Sequence, residues 1–213
     1  VHLHNHTHHS LLDGLTKIPA LVDRVKDLGM EAVAITDHGT MSGTIDFYKT
    51  ATAGGIKPIL GMEAYVAARS RHDRDPQKDK ARYHLIILAM NNHGYQNLMK
   101  LSTQANLEGM YYKPRIDHEL LEQYNESLII LSACASGELG EQLRFDNYAE
   151  AKEIASWYKS VFGDRYYLEL QDHGHPDNPT KWDVQVKINE YLNRLSKELD
   201  IPCVVTSDGH YLD

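Results

Sequence analysis

The sequence lacks several features that would assign it to a familiar class of protein. No apolar run approaches the roughly 20 residues of a membrane-spanning helix, so we expect no membrane partner. Only two cysteines, Cys134 and Cys203, occur, which excludes a disulfide framework and suits the reducing cytoplasm. Because the first residue is Val1 rather than methionine and no signal segment precedes it, we expect a segment of a longer chain.

Motifs for several common chemistries are also absent. There is neither a Gly-x-x-x-x-Gly-Lys phosphate loop nor a Gly-x-Ser-x-Gly nucleophile elbow. Cys134 has no second cysteine at zinc-finger spacing, and the net charge of -8 argues against a surface built mainly to hold nucleic acid. Histidine, by contrast, is abundant, with 13 residues in 213. Since imidazole is the commonest side-chain metal ligand, this composition indicates metal binding.

Hydrophobic periodicity alternates between helices and short strands along the whole chain. Ile18, Leu21 and Val22 recur at helical spacing, and Ala32–Ile35 directly afterwards is typical of a strand buried on both faces. The predicted strands are 1–5, 32–35, 59–66, 84–89, 128–131, 166–170 and 203–206. The predicted helices are 16–29, 42–52, 92–106, 148–158 and 188–199. About seven βα units in one domain, residues 1–213, predict a (β/α) barrel or a doubly wound sheet.

Residues able to bind metal ions recur where the predicted strands end. His2, His4 and His6 alternate along the first strand and therefore share one of its faces. The others are Asp37, His38, Glu63, Cys134, Asp208 and His210. Both candidate folds bring such positions together at one end of the sheet. A mixed set of nitrogen, oxygen and sulfur donors suits zinc, manganese or iron better than magnesium, so we predict a multi-ion hydrolytic centre.

These motifs resemble the polymerase and histidinol phosphatase (PHP) family along the whole chain. The general resemblance rests on His4-x-His6-Thr7, Thr36-Asp37-His38-Gly39 and Asp208-x-His210. Further stretches, Ser10-Leu11-Leu12-Asp13-Gly14 among them with 54–58, 111–117 and 168–174, look like the N-terminal domain of bacterial replicative DNA polymerases. The family fold implied is a distorted (β/α)7 barrel, with its metal site at the carboxyl ends of the strands.

The resemblance implies nine ligands for three divalent ions, zinc or manganese, with iron or magnesium as alternatives. His4, His6 and Asp208 would bind the first ion. Glu63 would complete that set and bridge to a second ion at His84 and Cys134. The third ion would fall to Asp13, His38 and His210. Glu63, Asp208 and His210 are the expected catalytic residues, and all nine positions carry a suitable side chain.

In the polymerase branch of the family, the implied activity is 3′ to 5′ proofreading removal of nucleotides from a DNA 3′ end. The implied partners are the rest of a polymerase chain and a separate proofreading subunit, in the cytoplasm of a bacterium. Two alternatives stay open. A free-standing phosphatase of the histidinol phosphatase type is disfavoured by the polymerase-like stretches, and a noncatalytic docking module is disfavoured by the complete ligand set.

Two predicted loops, 69–82 and 109–118, are expected to lie over the site and to contact substrate. The first carries six basic residues against three aspartates, which suits either contact with the DNA backbone or a solvated loop. Lys113 and Arg115, in the second, are candidates for binding a phosphate, and a structural ion pair with Asp117 or Glu119 is the alternative for both. His173 is a further candidate for lining the site.

Overall fold

The chain folds into a mixed α/β domain, which a computed structural model describes for residues 1–172 and 179–212. The strands are β1 (Ala32–Ile35), β2 (Lys57–Ala67), β3 (Arg82–Ala89), β4 (Met110–Tyr111), β5 (Lys113–Ile116), β6 (Leu128–Leu131), β7 (Tyr166–Gln171) and β8 (Cys203–Thr206). The helices are α1 (Ile18–Asp27), α2 (Thr44–Ala53), α3 (Asn92–Leu107), α4 (His118–Gln123), α5 (Glu138–Arg144), α6 (Tyr148–Phe162) and α7 (Pro179–Leu199). None of the described helices is long and apolar enough to cross a membrane.

Local sequence signals explain where these helices begin and end. Helix α1 has a proline in its first turn and is followed by Gly29, whose φ of +67° is the left-handed conformation that glycine adopts at little cost. Asn91 caps α3 by accepting a hydrogen bond from the Gly94 amide, and Asp117 caps α4 in the same way. The apolar face of α1 packs on β1, so this helix lies where its periodicity predicts.

The sheet is mixed and curled, in the order β4-β5-β2-β3-β6-β7-β8, with β1 parallel to β2. The α/β class is therefore confirmed, but the repeated parallel βα alternation is not. Strand β3 runs antiparallel to both β2 and β6, while β6, β7 and β8 are mutually parallel. Strand β3 can reverse direction because the charged segment 68–81, rather than a crossover helix, connects it to β2.

The predicted opening strand is wrong as a continuous element, because residues 1–6 make only isolated bridges. His2 bridges to Val33 in β1, and Asn5 bridges to Gly209 beyond β8. The Asn5 side-chain Nδ2 donates to the His2 and Ala34 carbonyls, and the Asn5 backbone N–H donates to the Thr36 hydroxyl instead of a strand carbonyl. The segment nevertheless lies between β1 and the end of β8, which places His4 and His6 inside the curl of the sheet.

The predicted loop 109–118 is partly regular. Strands β4 and β5 form a short antiparallel ribbon, β5 also pairs in parallel with β2, and α4 begins at His118. Tyr112, at the turn of the ribbon, has a φ of +61°, which is unusual for a bulky residue. The main core lies between the sheet and helices α3 to α7, and a smaller one lies under α1 and α2.

Candidate metal centre

All nine predicted ligands lie in one cluster, where each has a ligand atom within 3.8 Å of another. The N-terminal segment supplies His4 and His6, and the loops after β1, β6 and β8 supply most of the others. His84 lies at the start of β3 rather than at a strand end. Because β3 is antiparallel to β2, the start of β3 lies beside the carboxyl end of β2, and His84 pairs with Tyr65 there. The nine predicted residues thus converge at one place in the fold.

The first predicted set has the spacing of a metal coordination sphere. His4 Nε2 lies 3.0 Å from Asp208 Oδ1 and 3.3 Å from His6 Nε2, and His6 Nε2 lies 3.2 Å from the same Asp208 oxygen. Metal–ligand bonds of about 2.0–2.1 Å in a tetrahedral site would separate ligand atoms by about 3.3 Å. His4 and His6 are both fully buried, and Asp208 is nearly so.

The hydrogen bonds behind these imidazoles fix which of their nitrogens face the cluster. His4 Nδ1 lies 2.6 Å from Glu169 Oε1, a carboxylate oxygen that can only accept, so this nitrogen donates. His6 Nδ1 lies 2.9 Å from Ser10 Oγ, whose own hydrogen goes to Asp37, so His6 donates as well. Once the imidazoles have lost their second proton, both Nε2 atoms therefore present lone pairs to one another and to the Asp208 carboxylate. Three converging acceptors are the environment of a bound cation.

Glu63 occupies the middle of the cluster. Its side chain is fully buried, with Oε2 2.5 Å from His38 Nδ1 and 3.2 Å from His6 Nε2. The other oxygen, Oε1, lies 2.8 Å from His84 Nδ1 and 3.4 Å from His4 Nε2. Neither oxygen has a hydrogen-bond partner in the described structure. A buried carboxylate without hydrogen bonds is costly unless it binds a cation, and this one faces two groups of imidazoles at once.

The remaining ligands extend the cluster on both sides of Glu63. Cys134 Sγ lies 3.5 Å from His84 Nδ1, and Asp13 Oδ2 lies 3.2 Å from His38 Nε2. His210 Nε2 lies 3.3 Å from Asp208 Oδ1, so Asp208 connects the first and third predicted sets. Three groups in the described chain have donor atoms close enough for an ion: His4, His6 and Asp208; His6, His38 and His210; and His38, Glu63 and His84. His6 thus joins the third set, which the sequence did not indicate.

Backbone strain occurs at two positions in this cluster. Asp208 has a φ of +49°, and Ala133, directly before Cys134, has a φ of +63°. The left-handed region is tolerated by aspartate but costs alanine about 1 kcal/mol or more. Both residues lie two positions beyond the end of a strand, β6 for Ala133 and β8 for Asp208.

Glu169 and Gln171 support the first ligand set, although neither is expected from the sequence to do so. Glu169 Oε1 accepts from His4 Nδ1, from Gln171 Nε2 at 2.8 Å and from the Thr206 hydroxyl. The two side chains alternate along β7 and are both almost fully buried. Two polar residues on the inward face of an otherwise apolar strand are the signal that could have revealed them.

Asp37 positions the turn that carries Ser10 and Asp13 and is not itself close to another ligand of the cluster. Its carboxylate accepts from the Thr7 amide at 2.6 Å, from the Thr7 hydroxyl at 2.8 Å and from the Ser10 hydroxyl at 2.8 Å. Ser10 in turn accepts from the His38 amide. One buried carboxylate therefore orients His6, through Ser10, and fixes the loop that follows it.

In the metal-free chain, the carboxylates and imidazoles of the cluster stabilise one another's charged forms against the effect of burial. Burial pushes the pKa of Glu63 upward, but the imidazoles of His4 and His38 hold that pKa well below its ordinary value. Burial lowers the pKa of His4, but the carboxylates of Glu169, Glu63 and Asp208 outweigh burial and raise this pKa well above 6.5. Burial also raises the pKa of the Cys134 thiol. Metal binding thus requires imidazole protons and a thiol proton to leave.

A cavity of about 730 Å³ opens onto the cluster at Asp13, His38 and His84. Three basic side chains, Lys80, Arg82 and Lys113, line the same cavity. Lys113 lies where the sequence predicts a phosphate contact, with Nζ 5.5 Å from the centre of the Tyr65 ring. The cavity therefore combines metal ligands with cations that can attract an anionic substrate.

Arg115 does not line this cavity. Its side chain is fully buried, and its guanidinium donates to the carbonyls of Gly109, Arg71 and Asp73 at 2.9–3.1 Å. It holds segment 68–81 in place and is not accessible to a phosphate. Arg115 does not form the alternative ion pair with Asp117 or Glu119 either, because Arg71 binds both of these carboxylates in the described structure. His173, the remaining substrate-binding candidate, lies outside the described residues.

Part of the positive charge of segment 68–81 is neutralised by ion pairs with carboxylates of the protein itself. Arg69 forms a bidentate pair with Asp79, and Arg71 is buried among Glu108, Asp117 and Glu119. Lys80, from the end of the segment, and Arg82, the first residue of β3, reach the cavity instead. The segment thus borders the site, as predicted, but Lys80 is its only basic side chain among the described residues that line the cavity.

A curled α/β sheet with nitrogen, oxygen and sulfur donors converging on buried carboxylates defines a metal-binding domain of the hydrolase type. Residues 2–173 match the family model for the PHP domain, and the chain belongs to the PHP family. The DNA polymerase III subunit alpha of Treponema pallidum is 49% identical over the entire chain, and that of Aquifex aeolicus is 46% identical. The chain spans only 18% of the length of either relative.

Solved structures support the fold at lower sequence identity. A protein of Bifidobacterium adolescentis assigned as a metal-dependent phosphoesterase matches with a TM-score of 0.58 at 14% identity, covering 99% of this chain and 87% of that one. An amidohydrolase from Chromobacterium violaceum matches with a TM-score of 0.61 at 13% identity, covering 98% and 87%. At such identities the likeness concerns the fold alone.

Proposed function

We propose that this chain is the metal-dependent phosphoesterase domain of a bacterial replicative DNA polymerase and that it removes nucleotides from a DNA 3′ end as a proofreading exonuclease. The observation that carries the phosphoesterase assignment is Glu63, a buried carboxylate without hydrogen bonds between two groups of imidazoles. The polymerase assignment is supported by DNA polymerase III alpha subunits that are 42–49% identical to the chain.

The donor set fits three divalent ions, zinc or manganese, with iron or magnesium as alternatives. Among the residues that the structure describes, buried polar atoms of His38, Glu63, Asp208 and His210 have no hydrogen-bond partner. Each of these atoms can bind a cation, which supports this fit. When bound, such ions lower the pKa of a water molecule and offset the negative charge of a phosphate. Together the ions would carry more positive charge than the three carboxylates and one thiolate carry negative, which makes the pocket attractive to anions.

We assign Glu63, Asp208 and His210 as the catalytic residues. Glu63 connects the first and second ligand sets, and Asp208 connects the first and third. These three side chains therefore hold the sets at fixed mutual distances, so that a phosphodiester can meet all of them together. Glu169 keeps His4 Nε2 turned toward the site, while Lys80, Arg82 and Lys113 draw the DNA backbone into the cavity.

The same proposal implies particular partners. The rest of a polymerase chain would deliver the 3′ end, since the relatives are several times longer than this domain. A separate proofreading subunit is a further proposed partner, and the bacterial cytoplasm is the proposed location. No membrane component is proposed.

The experiment that tests the proposal compares two substrates. The metal-loaded chain is incubated with a 3′-labelled single-stranded DNA oligonucleotide and, separately, with a small phosphomonoester. We expect label release from the oligonucleotide, and a loss of about 100-fold or more in Glu63→Gln, because the bridging charge is removed. Glu126→Gln is the matched control, since Glu126 is exposed on the surface and pairs only with His93 in the described structure.

The outcomes separate the alternatives. Selective hydrolysis of the monoester would favour a phosphatase of the histidinol phosphatase type. Absence of cleavage beyond the Glu63→Gln level for both substrates would overturn the catalytic proposal in favour of a docking module. Melting temperatures of both variants would confirm that any loss is chemical and not a loss of fold.

A further inference from the structure

Two leucines at the rim of the cavity are almost entirely exposed. Leu11 and Leu12 are 89% and 86% exposed, although both neighbours in the sequence belong to the site. Ser10, on one side, is buried and bonded to Asp37, and Asp13, on the other, is a proposed metal ligand. Two adjacent exposed leucines present apolar surface to water, and such a surface suits contact with an apolar part of a ligand.

The turn that carries the two leucines is fixed by its backbone. The amides of Asp13 and Gly14 donate to the Ser10 carbonyl at 3.1 and 2.8 Å, and the Ser10 amide donates to the Thr7 carbonyl at 2.9 Å. At Gly14 a Cβ would lie 2.0 Å from the Thr7 carbonyl oxygen, so the turn is packed directly against the N-terminal segment. Leu11 and Leu12 are therefore held in place and cannot simply fold away from solvent.

Both leucines line the same cavity as the metal ligands and the basic side chains. The cavity thus has three kinds of lining: the apolar leucines, the candidate metal ligands Asp13, His38 and His84, and the basic side chains Lys80, Arg82 and Lys113. The volume of about 730 Å³ falls in the range of roughly 300–1,000 Å³ that is usual for small-molecule sites. A ligand with one flat apolar part and one phosphate part satisfies all three kinds of surface, and a nucleotide unit is such a ligand.

We propose that Leu11 and Leu12 form a platform for the terminal nucleobase of a DNA strand and thereby seat its phosphodiester at the metal ligands. Apolar contact with a base face is tolerant of sequence, because every base has such a face. A base can reach the leucines only when it is unpaired, so the platform selects frayed or mismatched 3′ ends over paired ones. This inference rests on the proposed function for the nature of the ligand.

The test measures binding rather than turnover. The metal-loaded chain is titrated, by fluorescence anisotropy, into a 5′-labelled oligonucleotide whose last linkage is a phosphorothioate that slows hydrolysis. A second oligonucleotide of equal phosphate count ends in an abasic nucleotide. We expect the wild-type chain to bind the abasic end about tenfold more weakly, as the loss of one apolar contact surface implies.

The double variant Leu11→Ser/Leu12→Ser should bind the base-bearing end about as weakly as the wild type binds the abasic end, and should no longer distinguish the two ligands. Leu107→Ser is the control, because Leu107 is 75% exposed at the end of α3 and does not line the cavity. All variants alter exposed positions, and equal melting temperatures confirm their fold.

Three results would overturn the platform. The wild-type chain could bind both oligonucleotides equally, it could bind neither, or the double variant could distinguish the base-bearing from the abasic end as well as the wild type does. The last result would point to a protein segment as the occupant of the leucines. Discrimination between the two ends without any hydrolysis of unmodified DNA would instead reject the proposed exonuclease and leave the platform standing.

Discussion

His4 donates its Nδ1 hydrogen to Glu169 across 2.6 Å in the fully buried interior, so its Nε2 atom can face only the metal cluster. The carboxylate does more than hold the ring, since Gln171 and Thr206 both donate to the same oxygen and fix it in turn. A ligand oriented in this way loses little entropy when an ion binds.

The first prediction concerns this contact. Glu169→Gln should lower the affinity of the chain for zinc about 10- to 100-fold, because an amide can present its NH2 group to His4 and no longer fixes the tautomer. Competition with a chromogenic chelator measures the affinity. Glu153→Gln, at an exposed position of α6, is the matched control. Equal zinc affinity in both variants would contradict a positioning role for Glu169.

The second prediction concerns pH. The nearby Asp208 carboxylate raises the pKa of His210, and carboxylates raise the pKa of His4 and His6 against the effect of burial. Protons therefore compete with metal ions above the ordinary histidine value of 6.5, so zinc binding should release protons and tighten as the pH rises. Calorimetry in buffers of different ionisation enthalpy counts the released protons. Binding independent of pH between about 6 and 8 would contradict this account.

The same pKa shifts define how the stability of the metal-free chain depends on pH. Raised histidine pKa values give stability that is complete below pH 6.5 and is lost as the pH rises through the raised values. The depressed pKa values of Glu63 and Asp208 give stability that is present above pH 4.5 and is lost as the pH falls through them. Melting temperatures in EDTA should therefore decline on the alkaline side, and added zinc should remove that decline.

The third prediction concerns Arg115. Arg115→Met should destabilise the domain by about 3 kcal/mol or more, because several buried carbonyls of segment 68–81 would lose their donors. Arg144→Met is the control, since Arg144 is half-exposed in an i,i+3 pair with Glu141 that is worth about 0.5 kcal/mol. Urea unfolding gives both values. Similar stabilities would show that the Arg115 guanidinium is not needed to hold the segment.

The fourth prediction concerns Gly14. Gly14→Ala should displace the turn from the Thr7 carbonyl and with it Asp13, so fewer zinc ions should remain bound per chain. Gly55→Ala is an informative control, because Gly55 has a φ of +76° but no atom near its added Cβ. It should cost about 1 kcal/mol of stability and leave zinc content unchanged. Elemental analysis after gel filtration measures the content, and equal content in both variants would refute the coupling of this turn to the site.

The nine candidate ligands could be predicted from the sequence because its motifs resemble those of the PHP family, and several of them stand beside short apolar strands. The direction of β3 could not, since an apolar strand such as Arg82–Ala89 has the same pattern in either orientation. Helices α4 and α5, six and seven residues long, are too short for a helical period to be visible.

The supporting contacts were harder still to predict. Glu169 lies 165 positions after His4, and the sequence contains no local sign of their contact. Arg115 resembled a phosphate ligand because an arginine beside a lysine suggests an anion site, whereas its environment is decided by distant backbone carbonyls. Asn5 shows the same limit, because its bond to Ala34 depends on tertiary contact.

The cluster joins the two ends of the domain, with His4 and His6 from the first residues and Asp208 and His210 from beyond β8. Asp208 and His210 are the last of the nine ligands to be synthesised on the ribosome. If these residues bind metal as proposed, a nascent chain has an incomplete set of ligands until β8 docks against the N-terminal segment. We therefore expect metal binding and the docking of β8 to be coupled during the biogenesis of the domain.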